Sequence, residues 1–177
     1  LFFSTPTPQY PILSGLVGSE MCIRDSYNSH VLINDQHLVK MVIHNDGNDH
    51  NILINPSGKI NGIIDFGDMI YSYRVLEPAV SMAYVAIEND NPLPLMGSLL
   101  KGYNKIIPLN IYELKSVVYL MCIRLCISIS MATYRKKLFP ENKYLIISES
   151  KARKFLINML DDDITKWESE LTEYVHS

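Results

Sequence analysis

The sequence is short of cysteine, of basic clusters and of long apolar runs. Three cysteines occur among its 177 residues: Cys22, Cys122 and Cys126. No C-x-x-C pair and no His/Cys ligand spacing accompanies them, which argues against a zinc site. Cys122 and Cys126 stand four apart in an apolar stretch. On a helix they share a face, and they read as buried thiols suited to a reducing cytoplasm. Lys and Arg number 16 against 19 Asp and Glu, for a net charge of −3. Only Arg135, Lys136 and Lys137 cluster, and they read as a solvated helix end. Nucleic-acid binding shows as a basic patch, so no nucleic-acid partner is expected. The longest apolar run, residues 116–132, falls short of the roughly 20 residues of a membrane span. Arg124 sits in its middle, so it reads as a core helix, and no membrane partner is expected. Leu1-Phe2-Phe3 lacks the charged start of a signal peptide. No G-x-G-x-x-G or Walker-type run occurs, so neither familiar glycine-rich phosphate cradle is present.

What is there reads as a globular chain, with 47% apolar and 20% charged residues, long enough for one domain or a large piece of one. Residues 1–26 differ from the rest. Pro6, Pro8 and Pro11 break any periodicity, and no helix or strand pattern emerges. Gly15 to Ser26 resembles a translated sequencing-adapter read. Residues 1–26 are therefore expected to be a non-native or disordered leader, with the native sequence entering near Tyr27.

Leu38 to Ile43 predicts a strand. A polar loop follows, His44-Asn45-Asp46-Gly47-Asn48-Asp49-His50-Asn51. Ile52-Leu53-Ile54 and Ile60 to Ile64 flank Asn55-Pro56-Ser57-Gly58-Lys59, which is hairpin turn chemistry. Helices are predicted over 75–89, from Pro92 to about Lys105, and from an Asn110 cap to about Lys137. Ser148 is expected to cap a further helix with Ala152, Phe155, Leu156, Met159 and Leu160 on its apolar face. Asp161 to Asp163 offers caps for a last helix striped by Ile164, Trp167, Leu171 and Tyr174. A short hairpin followed by four or five helices gives an α+β fold, mostly helical.

Three polar positions stand out. Asp46 and Asn51 lie five apart in one loop, and Asp65 follows the returning strand of the hairpin. Because the hairpin folds the chain back, Asn51 and Asp65 should reach the same edge, beside the loop bearing Asp46. Phosphoryl transfer needs such a set: a carboxylate to accept or orient the acceptor's hydroxyl proton, and hard oxygen ligands for magnesium. Asp46 suits the first role, and Asn51 and Asp65 the second. Protein kinases order these parts as H-R-D-x-x-x-x-N and then D-F-G. Here His44-Asn45-Asp46, four residues, Asn51 and then Asp65-Phe66-Gly67 keep that order and inner spacing. Asn/Asp/Gly-rich turns are common, but turn chemistry alone does not produce the joint pattern.

The segment from about Leu38 to Ala83 resembles the aminoglycoside phosphotransferase / choline kinase superfamily, whose usual loop is H-G-D-x-x-x-x-N followed by I-D-F/W-G/E. Residues 43–52, with Ile64-Asp65-Phe66-Gly67-Asp68-Met69-Ile70-Tyr71-Ser72, Leu76-Glu77-Pro78-Ala79 and Asn142-Lys143-Tyr144-Leu145, look most like hydroxylysine kinase-like proteins, which show H-N-D-A-N-D-x-N. The resemblance implies a protein-kinase-like C-terminal lobe over 27–177. It implies Asp46 as catalytic base, Asn51 and Asp65 as ligands of Mg2+, and His44, Phe66 and Gly67 as loop support, with Phe66 packed beneath the metal site. Asp49 and Asp68 become candidate substrate contacts, and Glu77 reads as a first-turn acid. The donor is ATP or GTP. The acceptor is a hydroxyl on a small amine or amino acid, with 5-hydroxylysine first and homoserine, choline, ethanolamine or an aminoglycoside as alternatives. A kinase of this type also needs a glycine-rich strand turn and a phosphate-binding Lys, and neither is found. The reading is thus of a C-terminal lobe separated from its N-terminal lobe, nearly inactive alone, with an aminotransferase domain as a further fused partner. A non-catalytic pseudokinase-like lobe is the competing class.

Overall fold

The computed structural model describes residues 17–141 and 144–177, with side chains from 23 to 141 and from 149 to 177. Helix α1 (Val17–His30) leads into strand β1 (Lys40–Ile43), then β2 (Ile52–Ile54), β3 (Ile60–Ile63) and β4 (Ile70–Tyr73). Five helices follow: α2 (Leu76–Glu88), α3 (Leu93–Ile106), α4 (Ile111–Leu138), α5 (Tyr144–Asp161) and α6 (Ile164–His176). The mostly helical α+β architecture matches the sequence reading.

The strands form two nested antiparallel ladders. Strands β2 and β3 make the expected hairpin, with Ile52 opposite Ile63 and Leu53 opposite Gly62. Asn55 closes its turn, accepting from the backbone N–H of Ser57 at 3.1 Å and of Lys59 at 2.9 Å through Oδ1. Outside this hairpin β1 pairs with β4, from Lys40 opposite Tyr73 to Ile43 opposite Ile70. Sequence reading did not separate β4 from the turn before it, because a four-residue strand shows itself only through its remote partner. Leu53, Ile54, Ile60, Phe66, Ile70 and Tyr71 stay exposed along these ladders.

Helix α4 is the axis of the helical part and packs against α1, α2, α5 and α6. Leu114, Val117, Val118, Met121, Leu125 and Ile129 are buried along it. Ala79, Ala83 and Ala86 lie on the buried side of α2, and such small side chains let two helix axes approach closely. Among the described residues α4 is the one helix long and apolar enough to cross a membrane. Here its apolar residues are distributed among four neighbouring helices. Its start is as the sequence predicts. Asn110 Oδ1 accepts from the N–H of Glu113 at 3.0 Å, and Glu113 Oε2 accepts from the N–H of Asn110 at 2.8 Å, a reciprocal capping box.

Glu113 does more than cap. Its side chain has 0% exposure. Arg74 donates to it in bidentate fashion, Nε to Oε1 and Nη2 to Oε2, both at 2.8 Å. The N–H of Val39 adds a contact at 3.3 Å. The pairing holds the Arg74 guanidinium above its ordinary pKa, chiefly through these hydrogen bonds. One carboxylate thereby joins the start of β1, the end of β4 and the start of α4.

Two expectations need correction. Residues 17–26 were expected to lack regular structure, yet they belong to α1, and Ile23 is 1% exposed in the core. The helix has little amphipathic periodicity of its own, so its order comes from packing against α4. Residues 1–16 of the expected leader lie outside the described residues. Ser148 is not a cap either: α5 begins four residues earlier, at Tyr144. Its expected inner face is otherwise in place, with Ala152, Leu156 and Met159 buried. Asp163 caps α6 by accepting from the N–H of Thr165 at 3.0 Å.

Helix α6 lies against α3 where Gly97 leaves room: a Cβ there would stand 2.4 Å from Cγ of Tyr174. Gly97→Ala is expected to force the two helices apart and cost about 1–3 kcal/mol, read as a lower denaturant midpoint at unchanged slope. Arg74→Met leaves Glu113 buried without its cation. It is expected to cost about 3–5 kcal/mol, measured the same way, whereas a loss below 1 kcal/mol would mean the pair contributes little.

Candidate active site

The polar loop between β1 and β2 is organised by its own side chains. Asn48 Oδ1 accepts from the N–H of His50 at 2.9 Å and of Asn51 at 3.2 Å. Its Nδ2 donates to the carbonyl of Asp46 at 3.1 Å. Asn51 Nδ2 donates twice to Asp46, to the carbonyl and to Oδ2, each at 2.9 Å. Asn48 and Asn51 are buried, so these bonds face little competition from water. Asn45 has φ 66°. This left-handed conformation suits Asn better than almost any other non-glycine residue. The Asn45 N–H donates to Glu77 Oε2 at 3.0 Å, so Glu77 is both a first-turn acid of α2 and the anchor of the loop.

The hairpin returns the chain to the loop as its length predicts. The N–H of Ile64 donates to the carbonyl of Asn51 at 2.9 Å, which sets Asp65 one residue beyond Asn51's partner. Asp65 has φ 64° and its side chain caps nothing in the turn it opens. Gly67 lies close beneath it: a Cβ there would come within 3.3 Å of Asp65 Oδ1. His44 is buried, and its Nε2 donates to the carbonyl of Ile64 at 2.9 Å. That proton is committed to the backbone, so His44 ties the loop to the Asp65 turn. Phe66 departs from expectation. It is 54% exposed, and its ring meets His44 edge-on at 5.2 Å instead of lying beneath the site. A short turn at the end of an exposed hairpin has no core underneath for it to enter.

Sequence reasoning missed two residues that touch Asp46. Tyr84 of α2 donates its hydroxyl to Asp46 Oδ1 at 2.8 Å. Arg124 of α4 donates from Nη2 to the same oxygen and to the Tyr84 oxygen, both at 3.1 Å. The Asp46 and Arg124 side chains are 18% and 23% exposed. Burial, followed by the bond to Asp46, raises the Tyr84 pKa above its ordinary value. The phenol therefore remains a donor at neutral pH. An Arg in an apolar run was a signal, but nothing in the sequence named its partner 78 positions away.

Asp49 faces a cavity of about 570 Å³ between the loop, the β2–β3 hairpin and α2. Glu77, Tyr84, Glu88 and Tyr103 also line it. Burial and the charge of Glu77 push the Tyr103 phenol up to about 12. Asp68 is exposed and is not part of this cavity. Among the described residues no group of three or more His, Cys, Asp and Glu side chains converges on a metal site. Two oxygen ligands are left uncommitted by the bonds around the loop: Asn51 Oδ1, since its amide nitrogen makes both bonds to Asp46, and the Asp65 carboxylate, which caps nothing in its own turn. Both are hard ligands, of the kind magnesium takes one or two at a time while keeping waters and phosphate oxygens. The residues present therefore fit that ion.

Comparison with known proteins gives the same direction. Residues 30–104 match the phosphotransferase enzyme family. The hydroxylysine kinase of Mus musculus is 37% identical over 144 residues, 76% of this chain and 38% of that protein. That of Bos taurus is 35% identical with the same coverage. That of Danio rerio is 39% identical over 118 residues, 64% of this chain and 33% of that protein. The chain thus spans little more than a third of the length of these relatives. No solved structure matches it. Residues 30–104 are thus similar to the phosphotransferase enzyme family, and about three quarters of the chain is similar to part of the hydroxylysine kinases.

Proposed function

We propose that the protein moves the terminal phosphate of ATP or GTP to a hydroxyl of a small amine or amino acid, with 5-hydroxylysine as the first acceptor. The observation that carries this reading is the bond from Asn51 to Asp46 Oδ2, in a loop that the hairpin sets beside Asp65. Asp46 is the base: the acceptor hydroxyl gives its proton to the carboxylate as its oxygen bonds to phosphorus and the bond to the leaving diphosphate breaks. Asn51 and Asp65 would hold Mg2+, which would supply charge neutralisation at the phosphates. His44 and Gly67 keep Asp65 in place.

The acceptor class follows from the cavity. Asp49 and Glu77 bring carboxylates to it, while Glu88 is already paired with Lys151 at 2.7 Å; the two remaining charges favour a cationic amine over a neutral alcohol. Tyr84 forms part of its wall and reaches Asp46 directly, so an amine held there lies one residue from the base. Asp68 is proposed as a contact on the metal side of the site. The cytoplasm is proposed as its compartment on cysteine usage alone, three cysteines without disulfide or metal spacing.

Phosphorus NMR of the chain completed with an N-terminal lobe, with Mg2+, ATP or GTP and a panel of hydroxylated amines, tests this; the chain alone is expected to turn over little. A phosphate monoester of 5-hydroxylysine is expected. Asp46→Asn should slow its formation by about 10²–10⁴-fold, and Asp65→Ala should remove the magnesium dependence of nucleotide binding. Equal turnover by Asp46→Asn, or nucleotide affinity with Mg2+ unaltered by Asp65→Ala, would rule out those assignments.

A further inference from the structure

We infer that Tyr84 and Arg124 are positioning residues for Asp46: together they hold Oδ1, so that Oδ2 alone is offered to the acceptor hydroxyl. The inference rests on Asp46 being the base of the proposed reaction. Three donors from three different elements converge on one carboxylate. Oδ1 accepts from the Tyr84 hydroxyl at 2.8 Å and from Arg124 Nη2 at 3.1 Å. Oδ2 accepts only from Asn51 Nδ2, at 2.9 Å, among the bonds these residues make. A carboxylate oxygen has about two acceptor sites. Oδ1 is therefore filled, and Oδ2 keeps one.

The division of labour follows from what each neighbour can do. Asn51 reaches Asp46 from within the same loop, so it cannot by itself fix the carboxylate against the helices. Tyr84 and Arg124 project from α2 and α4, which are packed together in the core. The two are also bonded to one another, Arg124 Nη2 donating to the phenol oxygen at 3.1 Å, with the guanidinium 5.8 Å from the centre of the Tyr84 ring. The phenol donates its O–H to Asp46 Oδ1 and keeps its proton, so the unit is directional: cation to hydroxyl to carboxylate. Arg124 also keeps its Nε–H buried without a partner among the described residues. Burying an unpaired donor opposes folding, so the side chain is held at Asp46 against a cost. Such costs are concentrated at functional sites.

The consequence is a rate effect without a binding effect. The acceptor and nucleotide make no proposed contact with Tyr84 Oη or Arg124 Nη2 once these are engaged by Asp46. Misplacing a catalytic group by an ångström costs on the order of 10²-fold. Arg124→Lys, which keeps the charge but loses the planar donor, is expected to lower kcat by roughly ten- to a hundredfold, and Tyr84→Phe by several-fold, with both KM values within about twofold. Guanidinium ion added to Arg124→Ala should recover part of the rate, as a structural defect would not.

A second reading needs no turnover. In the ¹³C,¹⁵N-labelled chain, Tyr84→Phe and Arg124→Lys should shift the Asp46 Cγ resonance and the Asn51 Nδ2 proton that points at Oδ2. Unmoved resonances in both variants overturn the proposal, because Asn51 then holds Asp46 without help. Moved resonances with raised KM and unchanged kcat overturn it too, since the pair then acts in binding. If the chain completed with an N-terminal lobe binds nucleotide and acceptor yet phosphorylates none, the assignment of Asp46 as base fails instead. The resonance experiment tells these two failures apart.

Discussion

A carboxylate removed from water must be met by donors, and the way Glu113 is met sets the frame for everything else. Its partners are Arg74 at the end of β4, Val39 before β1, and Asn110 at the cap of its own helix. Leaving any one of these unmade would strand charge in a fully buried position. The ladder β1–β4 is thereby fixed to the start of α4. The β2–β3 hairpin hangs between those two strands, so it is fixed as well. Arg124 stands three helical turns farther along α4, about 16 Å on. A helix anchored at Glu113 delivers that guanidinium to Asp46 at a set height.

The site is built on the opposite principle, with backbone held away from its easiest conformations. Asn45 and Asp65 both sit at positive φ, where an L-residue ordinarily pays roughly 1–2 kcal/mol. The two flank the chemistry: one precedes Asp46, and the other is itself a proposed ligand. Asn45 is restrained by Glu77, and the Asp65 turn is restrained through His44 and Ile64. Strain held this way aims side chains that a relaxed loop would let wander. The Asn48 bonds serve the same end within the loop, since they turn Asn51 toward Asp46 before any ligand arrives.

Local signals in the sequence carried far. Asn110 announces the cap of a long helix, and Asn55-Pro56-Ser57-Gly58 announces a turn; both form as read, while the reciprocal bond from Glu113 was not foreseen. The order of Asp46, Asn51 and Asp65 depends only on a loop and a hairpin and was legible; what the structure adds is the bond from Asn51 to Asp46 and that from Ile64 to Asn51. What escaped depends on partners far along the chain. Strand β4 exists because β1 lies beside it, and α1 is held by packing against α4, with Ile23 buried in the core. Tyr84 looked like any residue of an apolar helix, and Arg124 looked like an interruption of one. Their contacts with Asp46 span 38 and 78 positions, and no local pattern encodes such distances. Phe66 was misread because the motif fixes where it sits in sequence, while the depth of packing below it is decided by the rest of the fold.

The central claim is that Asn51 and Asp65 hold a divalent metal beside Asp46. Paramagnetic broadening by Mn2+·ATP in the ¹⁵N-labelled protein tests it most directly, because Mn2+ takes the same hard oxygen ligands and acts on nearby nuclei only. The account predicts that the Asn51 side-chain amide and the backbone amides of Asp65, Phe66 and Gly67 broaden first, and that Asp65→Ala removes the effect. Sharp signals at these positions, with broadening centred elsewhere, would contradict it.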